Sequence, residues 1–264
     1  MLKGAIHVHS TYSDGEFTLA EVKKIFVADG CSFVCMTDHA EAFDEEKRVA
    51  YLQELASLSD ATFIFVAGLE YECEQRMHIL GYGVTMPSGT TDPQAVIRHI
   101  EQSGGVSVIA HPKDSMFPWI ETFEVLPQGI EAWNSKYDGQ YAPRVGTFRL
   151  VQAMQKKRPD LLAFYGQDLH WKKQYRQLFV FLATEVLHRD AILRALASGN
   201  FTAKKDDLEL SPSGALSEEL WSRFAEAHER SARMRNFLKA GKQKLDRMGI
   251  KVPDALKAQL RRIF

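Results

Sequence analysis

Short apolar runs alternate with longer amphipathic stretches along most of this chain. The apolar runs are rich in Val, Ile and Phe and are often bounded by Gly, Pro or Asp, which predicts β-strands. The predicted strands are 4–9, 32–37, 62–70, 76–83, 106–111, 129–134, 161–168 and 178–184.

Several of the intervening stretches carry helix boundaries. In "TLAEVKKIFVADG", Thr18 is placed to cap the N-terminus and Gly30 to end the helix. Pro93 stands in the first turn of "DPQAVIRHIEQSGG", which also ends on glycine, and "HRDAILRALASG" repeats that ending. Alternating strands and helices predict an α/β fold with a mainly parallel sheet, either open or closed as a barrel.

The positions of possible ligands favour the barrel. They fall at the carboxyl ends of successive predicted strands: His7, His9, Asp38, His39, Glu70, His111, Asn134 and Asp168. Barrels of β/α units place their active sites on this rim. We therefore expect one site built from many strands.

The C-terminal part follows a different pattern. Ser217 is a good N-cap, and the apolar positions that follow have helical spacing: Leu220, Phe224, Ala227, Met234, Leu238, Leu245 and Met248. A short helix restarts after Pro253, and 209–216 resembles a linker. We therefore predict a body over 1–208 and a basic helical extension over 209–264.

Charge is divided unevenly between these parts. The chain has net charge −1, but from Ser217 onward it contains 12 Lys/Arg and 6 Asp/Glu. Residues 1–216 therefore contain the other 21 Lys/Arg and 28 Asp/Glu. Three interpretations of the basic segment stay open: docking on the body or a second subunit, contact with nucleic acid or anionic lipid, and partial disorder.

Composition is that of an ordinary globular protein, with 264 residues, 45% hydrophobic and 25% charged. No apolar run approaches the length of a membrane span, and the start shows no signal-peptide pattern. Cys31, Cys35 and Cys73 fit neither a disulfide framework nor a CxxC metal pair. We expect a cytoplasmic protein with buried, reduced thiols and no membrane span; its oligomeric state stays open.

The segment "HVHSTYSDG" (7–15) concentrates metal-binding groups. On a strand, His7 and His9 point to one side, while Ile6 and Val8 point to the other, toward covering helices. Two imidazoles on one side bind a single ion when a carboxylate joins them. Such a pair alone is weak evidence, but "TDH" (37–39), "GLE" (68–70), "MHILGYG" (77–83), "AHP" (110–112) and "GQDLH" (166–170) follow it.

This ordered set of motifs resembles the PHP (polymerase and histidinol phosphatase) family of metal-dependent phosphoesterases, over roughly residues 3–204. The resemblance implies a distorted seven-stranded β/α barrel that carries three divalent ions on its rim. Mixed His and carboxylate ligation suits Mn, Fe or Zn.

The resemblance also implies a division of ligands among the ions. The first ion takes His7, His9, Glu70 and Asp168; the second shares Glu70 and adds His78 and His111; the third takes Asp14, His39 and His170. The alternative for His78 is a histidine that supports a ligand or packs in the core, and the role of Asn134 stays open. In "HVHSTYSDG", Ser10 and Ser13 can hold a turn closed by Gly15, which brings Asp14 to the site. His99, His188 and His228 lie in helical segments away from the rim.

Charge counting favours phosphate monoesters as substrates. Three divalent ions carry six positive charges. Three carboxylates and a bridging hydroxide, which is the expected nucleophile, contribute four negative charges, so two positive charges remain. A monoester dianion neutralises the remainder. Asp38 is a catalytic candidate that orients His39 or moves a proton, with helix capping as the alternative.

Basic and aromatic residues near the rim are candidates for substrate contact. Lys113, Lys136 and Arg176 are placed to contact the phosphate, although surface exposure is the simpler explanation for each; Lys172 and Lys173 lie beside Arg176. Trp133 and Trp171 either stack on substrate or pack at the rim.

Three functions are compatible with the sequence. The leading one is hydrolysis of a small phosphomonoester. The second is a phosphodiesterase or exonuclease that uses the basic segment to hold nucleic acid. The third is a non-catalytic PHP module, whose hallmark would be missing metal ligands; all nine expected ligands are present here. Only 32 residues separate His78 and His111, which excludes a large lid inserted between them.

Overall fold

A computed structural model describes residues 1–138 and 142–247. The strands are β1 (Leu2–Val8), β2 (Phe33–Met36), β3 (Asp38–His39), β4 (Ile64–Val66), β5 (Gly68–Glu72), β6 (His78–Tyr82), β7 (Val106–Ala110), β8 (Gly129–Asn134), β9 (Leu162–Gly166), β10 (Phe179–Leu182), β11 (Phe201–Lys205) and β12 (Leu208–Leu210). The helices are α1 (Leu19–Ala28), α2 (Glu45–Leu58), α3 (Pro93–Gln102), α4 (Phe117–Ile120), α5 (Val145–Gln155), α6 (Arg189–Ala197) and α7 (Glu218–Arg247). All eight predicted strand regions contain strands, whereas β11 and β12 were not predicted.

The helix boundaries follow their capping residues. Thr18 accepts a hydrogen bond from the backbone of Glu21, whose side chain accepts one from the Thr18 N–H, which completes a capping box at α1. Asp92 caps α3 and Pro93 is its first residue. Ser217 Oγ accepts from Leu220 N at 3.2 Å at the start of α7, as predicted.

The strands form two six-stranded sheets, ordered β12-β11-β10-β1-β2-β4 and β3-β5-β6-β7-β8-β9. The expectation of a mainly parallel sheet is wrong, because half of the ladders between the described strands are antiparallel. β6 runs antiparallel to both β5 and β7, and β10 runs antiparallel to β1. The connection from β5 to β6 is too short for a crossover helix, which enforces the reversal.

The expected closed seven-stranded barrel is not formed by the described strands. Pairing is interrupted at Thr37, between β2 and β3, and at Ala67, between β4 and β5. On the other side, β1 meets the chain after β9 through one isolated bridge, Val8 with Leu169. His7 and Asp168 leave the extended conformation at that meeting point, with φ of +60° and +49°, so a regular ladder cannot continue.

Two hydrophobic clusters make up the core. The larger contains Ile6, Trp133 and Phe164, and the smaller packs α1 and α2 against β1 and β2 around Val8. Contrary to the expectation that Ile6 and Val8 point to the same side, the two residues pack in different clusters. The pairing of β1 with β2 shifts register between these two residues, and this bulge breaks the strict alternation of side chains.

The segment 209–216, predicted as a linker, is hydrogen-bonded to the body. The Ser211 carbonyl accepts from the hydroxyl of Tyr165 at 2.5 Å, and the Pro212 carbonyl accepts from Ala163 N at 2.7 Å. Phe224, in the second turn of α7, is fully buried in the larger cluster. The positions predicted from Met248 onward, including the helix after Pro253, lie outside the described residues.

Within residues 1–138 and 142–247, no helix combines the length and the apolar character that crossing a membrane requires. Cys31, Cys35 and Cys73 are free and buried, as the sequence predicted.

Candidate metal centre

The nine predicted ligands lie together near the carboxyl ends of β1, β3, β7 and β9, in the middle of β5 and at the start of the antiparallel β6. Ligand atoms within 4.8 Å of one another form four overlapping groups: His9, Asp14, His39 and His170; His7, His9 and Asp168; His7, Glu70 and His111; His39, Glu70 and His78. The set predicted for a third ion recurs with His9 added. His7, His9, His39 and Glu70 each belong to two groups, and of these four Glu70 is the carboxylate, which can bridge two ions through its two oxygens.

Glu70 occupies the middle of the cluster and is almost fully buried. Its Oε1 lies 2.8 Å from His78 Nδ1 and 3.1 Å from His111 Nε2, and its Oε2 lies 3.1 Å from His9 Nε2. His78 therefore points into the cluster rather than into the core, and its contact with Glu70 fits either a ligand or a histidine that supports Glu70.

Several imidazole nitrogens in the cluster are buried without a well-aligned hydrogen bond. These are Nε2 of His7 and both ring nitrogens of His9, although His9 Nε2 lies 3.1 Å from Glu70 Oε2. Burial lowers the pKa of His9 to about 3, so this imidazole is neutral and its lone pair is free to bind an ion. Buried polar atoms without partners cost free energy, which is recovered when they bind metal. A donor set of imidazole nitrogens and carboxylate oxygens fits Mn, Fe or Zn.

His7 differs from His9 because more carboxylates surround it. Burial by itself lowers the pKa of His7, but the charges of Glu131, Asp168 and Glu70 outweigh it and raise that pKa well above the usual range. The same attraction holds the pKa of Asp168 well below its usual range, although burial opposes it. The cluster therefore carries buried negative charge that cations stabilise.

The backbone is left-handed at three of the nine positions. His7, His111 and Asp168 have φ of +60°, +29° and +49°. Side chains other than glycine rarely adopt this conformation, and it persists only where surrounding contacts enforce it. Such strain concentrates at functional sites, and here it falls on residues that face the cluster.

Asp38 supports the turn that carries Asp14. One carboxylate oxygen accepts from Ser10 N at 2.8 Å and Ser13 Oγ at 2.7 Å, and the other accepts from Ser10 Oγ at 2.9 Å. Gly15 closes the turn by donating its N–H to the Ser10 carbonyl at 3.0 Å. These contacts explain why Asp38 is buried, and they assign its oxygens to the turn.

Asn134, whose role the sequence left open, has all its polar atoms occupied by the protein. Its Nδ2 donates to Glu131 at 2.8 Å and to Asp168 at 3.1 Å, while its Oδ1 accepts from the backbone of Lys136 and Tyr137. Asn134 therefore orients Asp168.

Sequence reasoning missed Glu131. This buried carboxylate contacts His7 Nδ1 at 2.8 Å and accepts from the backbone N–H of His111 at 3.0 Å. The signal was an acidic residue inside an apolar strand, "GIEAWN", where a charge requires partners. Strict alternation would place residues 131 and 134 on opposite faces, but a register shift between Glu131 and Trp133 brings both toward the cluster.

The predicted phosphate contacts differ in position. Lys136 Nζ lies 3.1 Å from Asp168 Oδ1 and 3.2 Å from His170 Nδ1. Lys113 is exposed and begins a short helical turn. Arg176 is partly buried, and its Nε has no partner. Of these three predicted phosphate contacts, Lys136 is therefore the one in direct contact with the cluster.

The structure also locates the other aromatic and histidine residues for which the sequence suggested a role. Trp133 is buried in the core, while Trp171 is 39% exposed and its ring lies 5.6 Å from that of His170. His188 caps α6 through Asp190 N, and His99 contacts the Met86 carbonyl. Neither joins a ligand group among the described residues, nor does His228.

Comparison with solved structures supports the fold. A two-domain protein containing a predicted PHP-like metal-dependent phosphoesterase from Bacteroides vulgatus superposes with a TM-score of 0.59 at 18% identity, over 85% of this chain and 69% of that one. A putative metal-dependent phosphoesterase from Bifidobacterium adolescentis gives 0.48 at 15% identity, over 74% and 96%. A TM-score below 0.5 does not establish a shared fold, so the fold comparison rests on the Bacteroides structure.

No family model and no curated protein matches the chain. The predicted resemblance to the PHP family is confirmed at the level of the fold, through a structural neighbour named PHP-like.

Proposed function

We propose that this protein is a metal-dependent phosphoesterase that hydrolyses small phosphate monoesters. The observation that carries the proposal is the convergence of nine metal-binding side chains, three of whose buried imidazole nitrogens make no well-aligned hydrogen bond. The shared fold with a protein named as a predicted PHP-like metal-dependent phosphoesterase supports the same chemistry.

The proposed centre holds three divalent ions. In the division that the family resemblance implies, Asp14, His39 and His170 would hold one ion, His7, His9 and Asp168 a second, and His78 and His111 a third, with Glu70 shared between the last two. The structure groups His78 with His39 and His111 with His7, and both histidines lie within 3.1 Å of Glu70. When bound, the ions would activate water and neutralise charge on phosphoryl oxygens. Asp38 contributes by keeping the turn around Asp14 in place.

The charge of the cluster favours a monoester. The structure adds one buried carboxylate, Glu131, and one ammonium group, Lys136, to the three carboxylates considered from the sequence. These two added charges cancel, so the excess positive charge expected with three ions still matches a dianion. A phosphodiester, with a single negative charge, would leave it partly uncompensated.

Lys136 is the side chain that we assign to the phosphate. Its ammonium group contacts Asp168 and His170, so a phosphoryl group held at the cluster lies within its reach. The charges of Asp168 and other neighbours outweigh burial and raise the pKa of Lys136, which keeps it cationic. A cation at this place binds and orients phosphoryl oxygens.

Paired substrates test the proposal. Manganese-loaded protein is given p-nitrophenyl phosphate or its bis-ester, and release of p-nitrophenol is compared with that from chelator-treated protein. We expect faster turnover of the monoester and none after chelation. Preference for the diester would favour nucleic acid as the substrate, held by the basic α7. Turnover that survives chelation would overturn the metal centre.

A further inference from the structure

Glu131 lies at the centre of a hydrogen-bond network beneath the cluster. Its Oε1 contacts His7 Nδ1 at 2.8 Å, and its Oε2 accepts from His111 N at 3.0 Å and from Asn134 Nδ2 at 2.8 Å. Asn134 also donates to Asp168 Oδ2 at 3.1 Å. One carboxylate on β8 thus reaches residues of three other strand ends.

The residues that this network holds are the three candidate ligands with left-handed backbone. His7, His111 and Asp168 depart from extended geometry at the places where Glu131 contacts them directly or through Asn134. A strained conformation requires compensating contacts. The strain and the network therefore fall on the same three residues.

We infer that Glu131 is a positioning residue, one that sets the metal affinity of the centre without touching an ion. Glu131 accepts hydrogen bonds from His111 N and Asn134 Nδ2, and in the same acceptor role it takes the hydrogen bond that His7 donates from Nδ1. That leaves Nε2, which is buried and unpaired, as the ligating atom. The inference rests on the proposed metal site and adds that Glu131 selects which nitrogen of His7 binds the ion.

Glutamine cannot reproduce these contacts. Glu131 accepts from three donors, whereas glutamine offers one acceptor oxygen and an amide group that itself donates. If the oxygen serves His7, the amide group faces the donors of His111 and Asn134. If the amide group faces His7 instead, Nδ1 must give up its proton, and the ligating nitrogen changes.

The space around Glu131 fits this role. A Cβ at position 166 would lie 1.9 Å from Glu131 Oε1 and 2.8 Å from the Cβ of His7. Glycine at this position on β9 therefore leaves room for the carboxylate between two strands. The close approach is what brings Glu131 within hydrogen-bond distance of His7.

The test compares Glu131→Gln and Glu131→Asp with the wild-type chain in Mn²⁺ and Zn²⁺ binding, measured by titration calorimetry and elemental analysis. Glu101→Gln is the matched control, because Glu101 pairs with Ser107 at 2.9 Å and Arg158 at 3.2 Å outside the cluster. In zinc-loaded, ¹⁵N-histidine-labelled protein, the Nδ1 proton of His7 is followed by NMR and assigned with His7→Gln. Circular dichroism verifies folding.

We expect Glu131→Gln to weaken metal binding by about 10- to 100-fold and to remove or shift the Nδ1 proton signal, with Glu101→Gln unchanged. The shorter Glu131→Asp keeps the charge and is expected to lose affinity as well. Folded variants with wild-type affinity and an unchanged signal would overturn the inference while leaving the phosphoesterase proposal intact. A wild-type chain that binds metal without hydrolysing esters would overturn only the latter, and one that binds no metal would overturn both.

Discussion

At the residue scale, the centre is a balance of buried charges. Burial alone would raise the pKa of Glu70, yet the charge of His7 and hydrogen bonds from His111 and His78 hold that pKa well below its usual range. An ionised carboxylate in the interior is costly unless cations or donors surround it. The cluster therefore contains buried negative charge that bound divalent ions can neutralise.

Lys136 and Lys113 allow a matched test of phosphate binding. Lys136→Met should lower kcat/KM for a phosphomonoester by about 10- to 100-fold, the effect of losing one charge-assisted hydrogen bond worth roughly 1.5–3 kcal/mol. Lys113→Met should leave kcat/KM unchanged, because its side chain is exposed. Steady-state kinetics with measured metal content checks both. Equal losses in the two variants would contradict the assignment.

The sequence predicted ligands better than their supports. His7, His39 and Asp168 lie at or just beyond strand ends, and that position is visible in the hydrophobic pattern; Glu70 ends the predicted strand 62–70, although β5 continues to Glu72. Glu131 lies within a strand and reaches the cluster because of a bulge. A bulge depends on tertiary pairing, so no periodicity in the sequence shows it.

At the element scale, the turn between β1 and α1 joins two parts of the centre. It carries Asp14 and is held by Asp38 through Ser10 and Ser13. Gly15 lies against the preceding backbone, where an added Cβ would come within 2.7 Å of the His9 carbonyl carbon and oxygen. The turn therefore admits little change at that position.

Gly15→Ala should displace the turn. We expect a loss of about 1–3 kcal/mol in the free energy of unfolding, the usual cost of overpacking, with fewer ions bound because Asp14 moves. Urea denaturation and metal analysis measure these effects. Gly146→Ala in α5 is the control, since its nearest contact would be an ordinary 3.4 Å to Phe117. Unchanged stability and metal content in Gly15→Ala would show that the turn adapts.

Strand positions were predictable, but strand directions were only partly so. β8 was predicted with its observed bounds, 129–134. The reversal at β6 was readable from the short connection between Cys73 and Met77, which leaves no room for a crossover helix. The pairing of β10 with β1 is a long-range contact that the local sequence does not specify.

At the scale of the whole molecule, the basic α7 is attached to an acidic body. Phe224 is buried with its ring 6.3 Å from that of Phe148, whereas Met234 and Phe237 further along the helix are exposed. The beginning of the helix therefore belongs to the core. The part after it contributes most of the positive charge of α7.

Two truncations separate these roles. Ending the chain after Arg230 should leave stability and monoester turnover unchanged, because Phe224 is retained. Ending it after Leu216 should cost at least about 3–5 kcal/mol in the free energy of unfolding, the typical effect of removing a buried phenylalanine. Thermal denaturation and p-nitrophenyl phosphate turnover measure both. Lost turnover in a stable chain ending at Arg230 would place the distal helix at the site.

The most direct test of the metal centre is reactivation of the chelated enzyme. Manganese is added stepwise to metal-free protein while p-nitrophenyl phosphate turnover and bound metal are measured, with Asp168→Ala and Glu70→Ala as inactive controls. We predict no turnover without metal, a rise that saturates near three ions per chain, and no recovery in either variant. Turnover by metal-free protein, or wild-type rates in Asp168→Ala, would contradict the proposed centre.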